Sequence, residues 1–198
     1  MSNLTIKSLE SLFISKVRIK ALKYFALNPG RPIHLRGAVR EFVEEINAVR
    51  RELGRLEDIK FIDSETKGNK KYFVTNTAHP FFNELVSILH KSYGLGGEIV
   101  ANAKKIGEVE YAFLTSSFTK GDYKGTQVID MVIIGNIDMQ FLEDIVHKIQ
   151  NEIGREVHYM VLKSTEFQIR KRRRDQLIID LMIQDNVMLI GDYEEFVK

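Results

Sequence analysis

Between Leu9 and Leu27 the apolar positions Leu12, Phe13, Val17, Ile19, Ala21, Leu22, Phe25 and Ala26 recur close to a helical period, and Asn28-Pro29-Gly30 ends the pattern. Ser15, followed by Lys16-Val17-Arg18, predicts that this stretch divides into a short helix and a longer one capped by Ser15. Ile33-His34-Leu35 leads into a second helix through about Val43. A third begins at Glu44 or Glu45 and carries Ile46, Val49, Leu53 and Leu56 on one face. Two strands follow, Phe61-Ile62-Asp63 and Tyr72-Phe73-Val74-Thr75, joined by a polar turn from Ser64 to Lys70.

The second half alternates differently. Phe81 to Tyr93 is an amphipathic helix, and Gly94-Leu95-Gly96-Gly97 breaks it, so the boundary between two domains is expected there, at 1–95 and 96–198. Beyond it the pattern predicts a helix at Glu98 to Ile106, strands at Val109 to Leu114 and Val128 to Ile134, and a helix at Asp138 to Ile153. A strand at Val157 to Leu162, a helix from Thr165 to about Met182 and a last short strand complete the order, which suits a small mixed sheet covered by helices. The fold class read from these patterns is α+β.

Composition narrows the chemistry. The 198 residues are 44% hydrophobic and 28% charged, enough to build a core. No run of 18 apolar residues and no basic-then-apolar leader is visible, which predicts a cytoplasmic protein without a membrane partner. Zero cysteines exclude disulfides, thiolate nucleophiles and cysteine-type zinc sites, and the five histidines form no metal-binding spacing. The net charge of +2 conceals an asymmetry: residues 1–76 hold 8 Lys and 7 Arg against 9 acidic residues, a net +6, so a polyanionic partner is expected for that half.

Three helices and a hairpin are the order of a winged helix-turn-helix. In that arrangement the outward residues of the third helix reach base edges, and basic side chains nearby hold phosphates. The outward set is Asn47, Arg50, Arg51 and Arg55. Asn47 and Arg50 suit base contact, whereas Arg51 and Arg55 suit the backbone or pairing with Glu52 and Asp58. Lys67, Asn69, Lys70 and Lys71 would serve flanking phosphates or the minor groove from the hairpin, with Gly68 allowing its turn. The alternative is a solvated charged face. Leu35 to Ile62, LRGAVREFVEEINAVRRELGRLEDIKFI, resembles without gaps the ArsR-like winged-helix module that opens a group of prokaryotic proteins with a nucleotidyltransferase-like domain behind it. Asn76 to Pro80 and Val187 to Asp192 resemble the junction and closing strand of the same group. The resemblance implies double-stranded DNA as partner and a homodimer. Two departures stand out: Val43-Glu44-Glu45 replaces a Gly-x-Ser type of turn, and Gly54 sits inside the third helix.

Ser116 to Gly135, SSFTKGDYKGTQVIDMVIIG, resembles the signature of the DNA polymerase beta-like nucleotidyltransferases. Working members of that family begin it with Gly-Ser and place two Asp residues either side of one apolar residue on the strand. Here Ser116-Ser117 and Val128-Ile129-Asp130 stand in those places. Magnesium needs carboxylate oxygens, and Val128 supplies none, so Asp130 is the one candidate ligand of the pair. The strand matching the family's third carboxylate offers only Glu156 at its start, and Asp122 in the loop is a possible substitute. The resemblance implies a nucleotide subsite from Ser116, Ser117, Lys120, the backbone of the loop Lys120 to Gly125, and Asp130.

Arg170-Lys171-Arg172-Arg173-Arg174 is the densest charge cluster, expected to splay around a helix with Arg172 or Arg173 paired to Glu166, Asp175 or Asp180. The reading that joins these features is a DNA-binding transcriptional regulator whose second domain is a degenerate nucleotidyltransferase fold used for sensing, dimerisation or partner binding, with no cofactor and no assigned catalytic residue. The alternative is a metal-dependent nucleotidyltransferase acting on protein or RNA, related to toxin-antitoxin pairs and requiring Mg²⁺ and a nucleotide.

Overall fold

A computed structural model describes residues 2–120 and 129–198 and divides the chain into two compact units, one spanning Leu4–Leu89 and the other built around His90–Lys198. Both mix helix with sheet, so the fold class is α+β.

The first unit opens with α1 (Ser2–Leu12) and α2 (Lys16–Leu27). The break between them is where Ser15 stands, and its hydroxyl accepts the N–H of Arg18, closing one orphan donor of the new helix. A two-residue strand β1 (Ile33–His34), α3 (Leu35–Phe42) and α4 (Ile46–Asp58) follow. The hairpin β2 (Ile62–Lys67) and β3 (Lys70–Thr75) completes a three-stranded antiparallel sheet in the order β1-β3-β2. Ile33 pairs with Phe73 and His34 with Tyr72. The core between helices and sheet is apolar and fully closed: Phe25, Ala38, Val49, Leu53, Phe61 and Ile62 are all buried. Thr75, also buried, donates its hydroxyl to the carbonyl of Phe25 at 2.7 Å. The hairpin is longer than the polar composition of residues 64–70 suggests. Those residues pair as strand up to Lys67–Lys70, leaving only Gly68-Asn69 as the turn, because cross-strand hydrogen bonds outweigh weak local propensity.

The helix α5 (Phe82–Ser92) runs across the division, which falls between Leu89 and His90, upstream of the glycine-rich stretch expected to mark it. The helix ends there as expected, at Ser92, and Gly94 adopts a left-handed backbone with φ 60°. Gly94 opens α6 (Gly94–Ile106), and Gly96 and Gly97 lie buried within it. A Cβ on Gly96 would sit 2.3 Å from the carbonyl oxygen of His90, and one on Gly97 2.7 Å from the carbonyl carbon of Ser92, so their absent side chains let α6 approach the preceding chain closely.

The second unit contains a four-stranded sheet in the order β6-β5-β4-β7. Its strands are β4 (Gly107–Leu114), β5 (Met131–Ile137), β6 (Tyr159–Leu162) and β7 (Val187–Ile190). β5 runs parallel to β6, and β4 runs antiparallel to both β5 and β7. The short helix α7 (Ser116–Lys120) follows β4, and α8 (Met139–Ile153), N-capped by Asp138, links β5 to β6. α6 packs on α8 and β4. From the helices α9 (Ser164–Arg172), α10 (Gln176–Ile183) and α11 (Tyr193–Val197) come Phe167, Ile178, Leu181 and Phe196, which join Tyr111, Phe113, Val132, Ile134 and Leu162 in one core cluster.

Two expectations change here. The strand expected to begin at Val128 begins at Met131, so Asp130 stands at its entry. The single helix expected from Thr165 to Met182 is two. Arg173 ends α9, Arg174 adopts a left-handed backbone with φ 55°, and Asp175 caps α10 by accepting from Leu177 and Ile178 N–H groups. Only the first three residues of the basic run are therefore helical. Arg170 is the one that pairs with Glu166, at 2.7 Å, while Lys171 donates to the carbonyl of Phe196.

Candidate functional site

The outward side of α4 is organised from its N-terminus. Glu45 is the N-cap, and its carboxylate accepts from the Asn47 N–H at 2.8 Å and the Ala48 N–H at 2.9 Å. Those two backbone donors, followed by the positive charge of Arg51 and the Asn47 side chain, hold its carboxyl below the usual carboxylate range. The other carboxylate oxygen accepts from Asn47 Nδ2 at 3.0 Å, and Asn47 Oδ1 accepts from Arg50 Nη1 at 3.0 Å. This chain of bonds orients the Asn47 amide and places Arg50 one turn further along the helix. The neighbouring acid Glu44 binds Lys20 at 2.6 Å, and Lys20 also donates to the Phe42 carbonyl. Both carboxylates at the turn are thus committed to protein partners.

Three of the expected hairpin residues meet α4. Arg50, Leu53, Gly54 and Glu57 of α4 face Asn69, Lys70, Lys71 and Phe73 of the hairpin across a groove of about 590 Å³. His34, Leu35 and Arg36 close its third side. Lys71 gives its charge to Glu57 at 2.7 Å, and Ser64 donates to the same carboxylate at 2.5 Å. The bonds from Lys71 and Ser64 keep the Glu57 carboxyl below its ordinary range. Lys67 lies 3.0 Å from Glu65, and Arg51 is exposed on α4.

Arg55 is placed elsewhere. It lies 3.4 Å from Glu52, a buried carboxylate gripped at 2.6 Å by Arg18, and it lines a second, largely apolar groove of about 470 Å³ with Phe13, Phe61 and Phe81. Two groove residues, His34 and Arg36, lie outside the sequence-derived set. Their place depends on β1 pairing with β3 some forty residues on, for which no local pattern exists.

In the second unit Asp130 is completely buried. Its carboxylate accepts from Arg155 Nη1 at 3.1 Å, Arg155 Nη2 at 3.4 Å and the His158 N–H at 2.9 Å. The guanidinium of Arg155 also stands 4.9 Å over the ring of Phe118. Backbone bonds tie the same place: Asp130 N–H donates to the His158 carbonyl at 2.7 Å, and Thr115 N–H donates to the Asp130 carbonyl at 3.0 Å. Ser116 Oγ is 3.3 Å from Gln184, and Lys120 pairs with Asp185 at 2.9 Å, so both residues are bonded to the segment between α10 and β7. Ser117 is half-buried in α7. Glu156 is exposed, with its carboxylate 3.8 Å from His158 Nε2. Val128, Asp122 and the rest of the expected nucleotide loop beyond Lys120 lie outside the described residues. Among the described residues no group of three or more His, Asp or Glu side chains is placed to hold a metal ion.

The architecture defines a two-unit α+β protein, and among its described residues no helix is long and apolar enough to cross a membrane. No family model matches the chain, and no curated protein matches it. A similar solved structure is that of human N-acetylserotonin methyltransferase in complex with SAM, 18% identical over 60% of this chain and 37% of that one, with a TM-score of 0.29. A likeness that slight assigns neither fold nor chemistry.

Proposed function

We propose that the chain is a cytoplasmic DNA-binding transcriptional regulator. Its first unit acts as a winged helix-turn-helix, with α3 and α4 as the helix pair and the β2–β3 hairpin as the wing. The observation that carries this reading is the groove bringing Arg50 of α4 together with Asn69 and Lys70 of the hairpin, on a half of the chain with net charge +6. Duplex DNA is a polyanion, and a protein recognises it by placing cations along the backbone and a few oriented polar groups at base edges. Asn47, held between Glu45 and Arg50, is such an oriented group; an amide of this kind pairs with adenine and a guanidinium with guanine. Commitment of Glu44 to Lys20 and of Glu45 to the helix N-terminus supports the reading, since unpaired carboxylates there would oppose phosphate.

The second unit serves as a degenerate nucleotidyltransferase-like module for sensing, partner binding or homodimerisation. What supports a non-catalytic role is the state of Asp130, whose carboxylate is buried against Arg155 and the His158 N–H rather than open to a metal. A homodimer would present two such helices to paired half-sites.

The test is selection of a preferred duplex from a random pool, followed by a mobility-shift titration at fixed salt. Arg50→Ala is expected to lose roughly 1–3 kcal/mol of discrimination at one base position. Unchanged affinity and selectivity would remove Arg50 from the interface, and failure of the native chain to enrich any sequence would sink the regulator reading.

A further inference from the structure

Gly54 occupies an unexpected place. It lies inside α4, where glycine is less favourable than alanine because it fixes more backbone freedom on folding. No packing requires it, since a Cβ built on Gly54 has no atom within 4 Å. It stands three and four residues beyond Arg51 and Arg50, on the same outward stripe as Asn47, and it lines the groove toward the hairpin. The helix is therefore bare at the middle of a cationic groove, with nothing of the protein's own filling the space.

We propose that this groove seats the sugar–phosphate backbone of one strand of duplex DNA, with Gly54 as the floor that lets the backbone approach α4 and with Arg36 and Lys70 as the phosphate-holding rim. The proposal rests on the DNA-binding reading above and adds to it a strand position, a phosphate contact at Arg36 and a reason for the glycine. Charge selects this occupant. Arg36, Arg50 and Lys70 line the groove, and its one carboxylate, Glu57, is already neutralised by Lys71. Arg36 and Lys70 have no ion-pair partner among the described residues, so both remain available to phosphate.

The experiment measures fluorescence anisotropy of a labelled mixed-sequence duplex across a salt series, alongside thermal melting of each protein. Gly54→Ala is expected to melt higher than the native chain yet bind the duplex more weakly, and Gly54→Leu to weaken it roughly ten-fold or more. Arg36→Ala and Lys70→Ala should each reduce the slope of log affinity against log salt by about 0.9, the value of one phosphate contact on duplex DNA. If the native chain binds and Gly54→Ala and Gly54→Leu bind equally well with unchanged slopes for the rim variants, the groove assignment is overturned while DNA binding stands. Should Gly54→Leu not fold, the rim slopes decide the matter alone. Equal binding of the single strand, with the same sensitivity to these substitutions, overturns the assignment to duplex. A native chain that binds no duplex at all removes both the groove and the reading it rests on.

Discussion

Val43 illustrates what a single position carries. It closes α3 with φ 51° and ψ 55°, a left-handed conformation that β-branched residues rarely adopt, and its N–H still donates to the Val39 carbonyl. The chain thus makes the turn before α4 without the glycine such a turn favours. Its side chain is 81% exposed, so little packing offsets the strain. Val43→Gly is expected to stabilise the first unit by about 1 kcal/mol, read as a higher urea midpoint with unchanged slope; an unchanged or lower midpoint would mean the backbone is not strained there. Ser15, Glu45 and Asp138 cap their helices from within three residues, and the cap at Ser15 was legible in the sequence for that reason: the donor and acceptor are neighbours. Arg36 was not legible, because its partners across the groove come from α4 and a distant hairpin.

At the scale of elements, the joint between β5 and β6 is held by a residue first singled out as a metal-ligand candidate. Asp130 enters β5, Arg155 follows α8, and the two meet across 25 residues of sequence where the parallel strands begin. A fully buried carboxylate with one guanidinium and one backbone donor is strongly dependent on both partners, since removing either leaves an uncompensated group. Asp130→Asn and Arg155→Met are each expected to destabilise the second unit by roughly 3 kcal/mol, and to do so equally with and without Mg²⁺. Native-like melting of Asp130→Asn, or a native melting temperature that rises with Mg²⁺ only while Asp130 is present, would return Asp130 to the metal. The basic run shows the same lesson in reverse. Five cations in sequence read as splaying around a single helix, yet the helix ends inside them, and Arg174 turns left-handed to let Asp175 cap α10.

At the scale of the whole molecule, the burial of His90 couples folding to pH. His90 is 4% exposed, burial pushes its pKa down to about 4, and its Nε2 has no hydrogen-bond partner among the described residues. Its ordinary value is 6.5, so between pH 6.5 and 4 the unfolded chain takes up a proton that the folded chain refuses. Stability therefore falls as pH drops through that window, by up to about 3 kcal/mol from this residue. His90→Leu should flatten the curve of stability against pH between 7 and 4 relative to the native chain; parallel curves would mean that His90 is not the group responsible.

The α+β class, the order of most helices and strands and the basic character of the first half were determined by the sequence itself, because periodicity, caps and charge are properties of neighbouring residues. Only the tertiary structure decided that Arg50 faces Lys70 and that Asp130 belongs to Arg155. Each of those outcomes depends on which distant segment arrives beside the residue, and hydrophobic burial and strand pairing settle that for the whole chain at once.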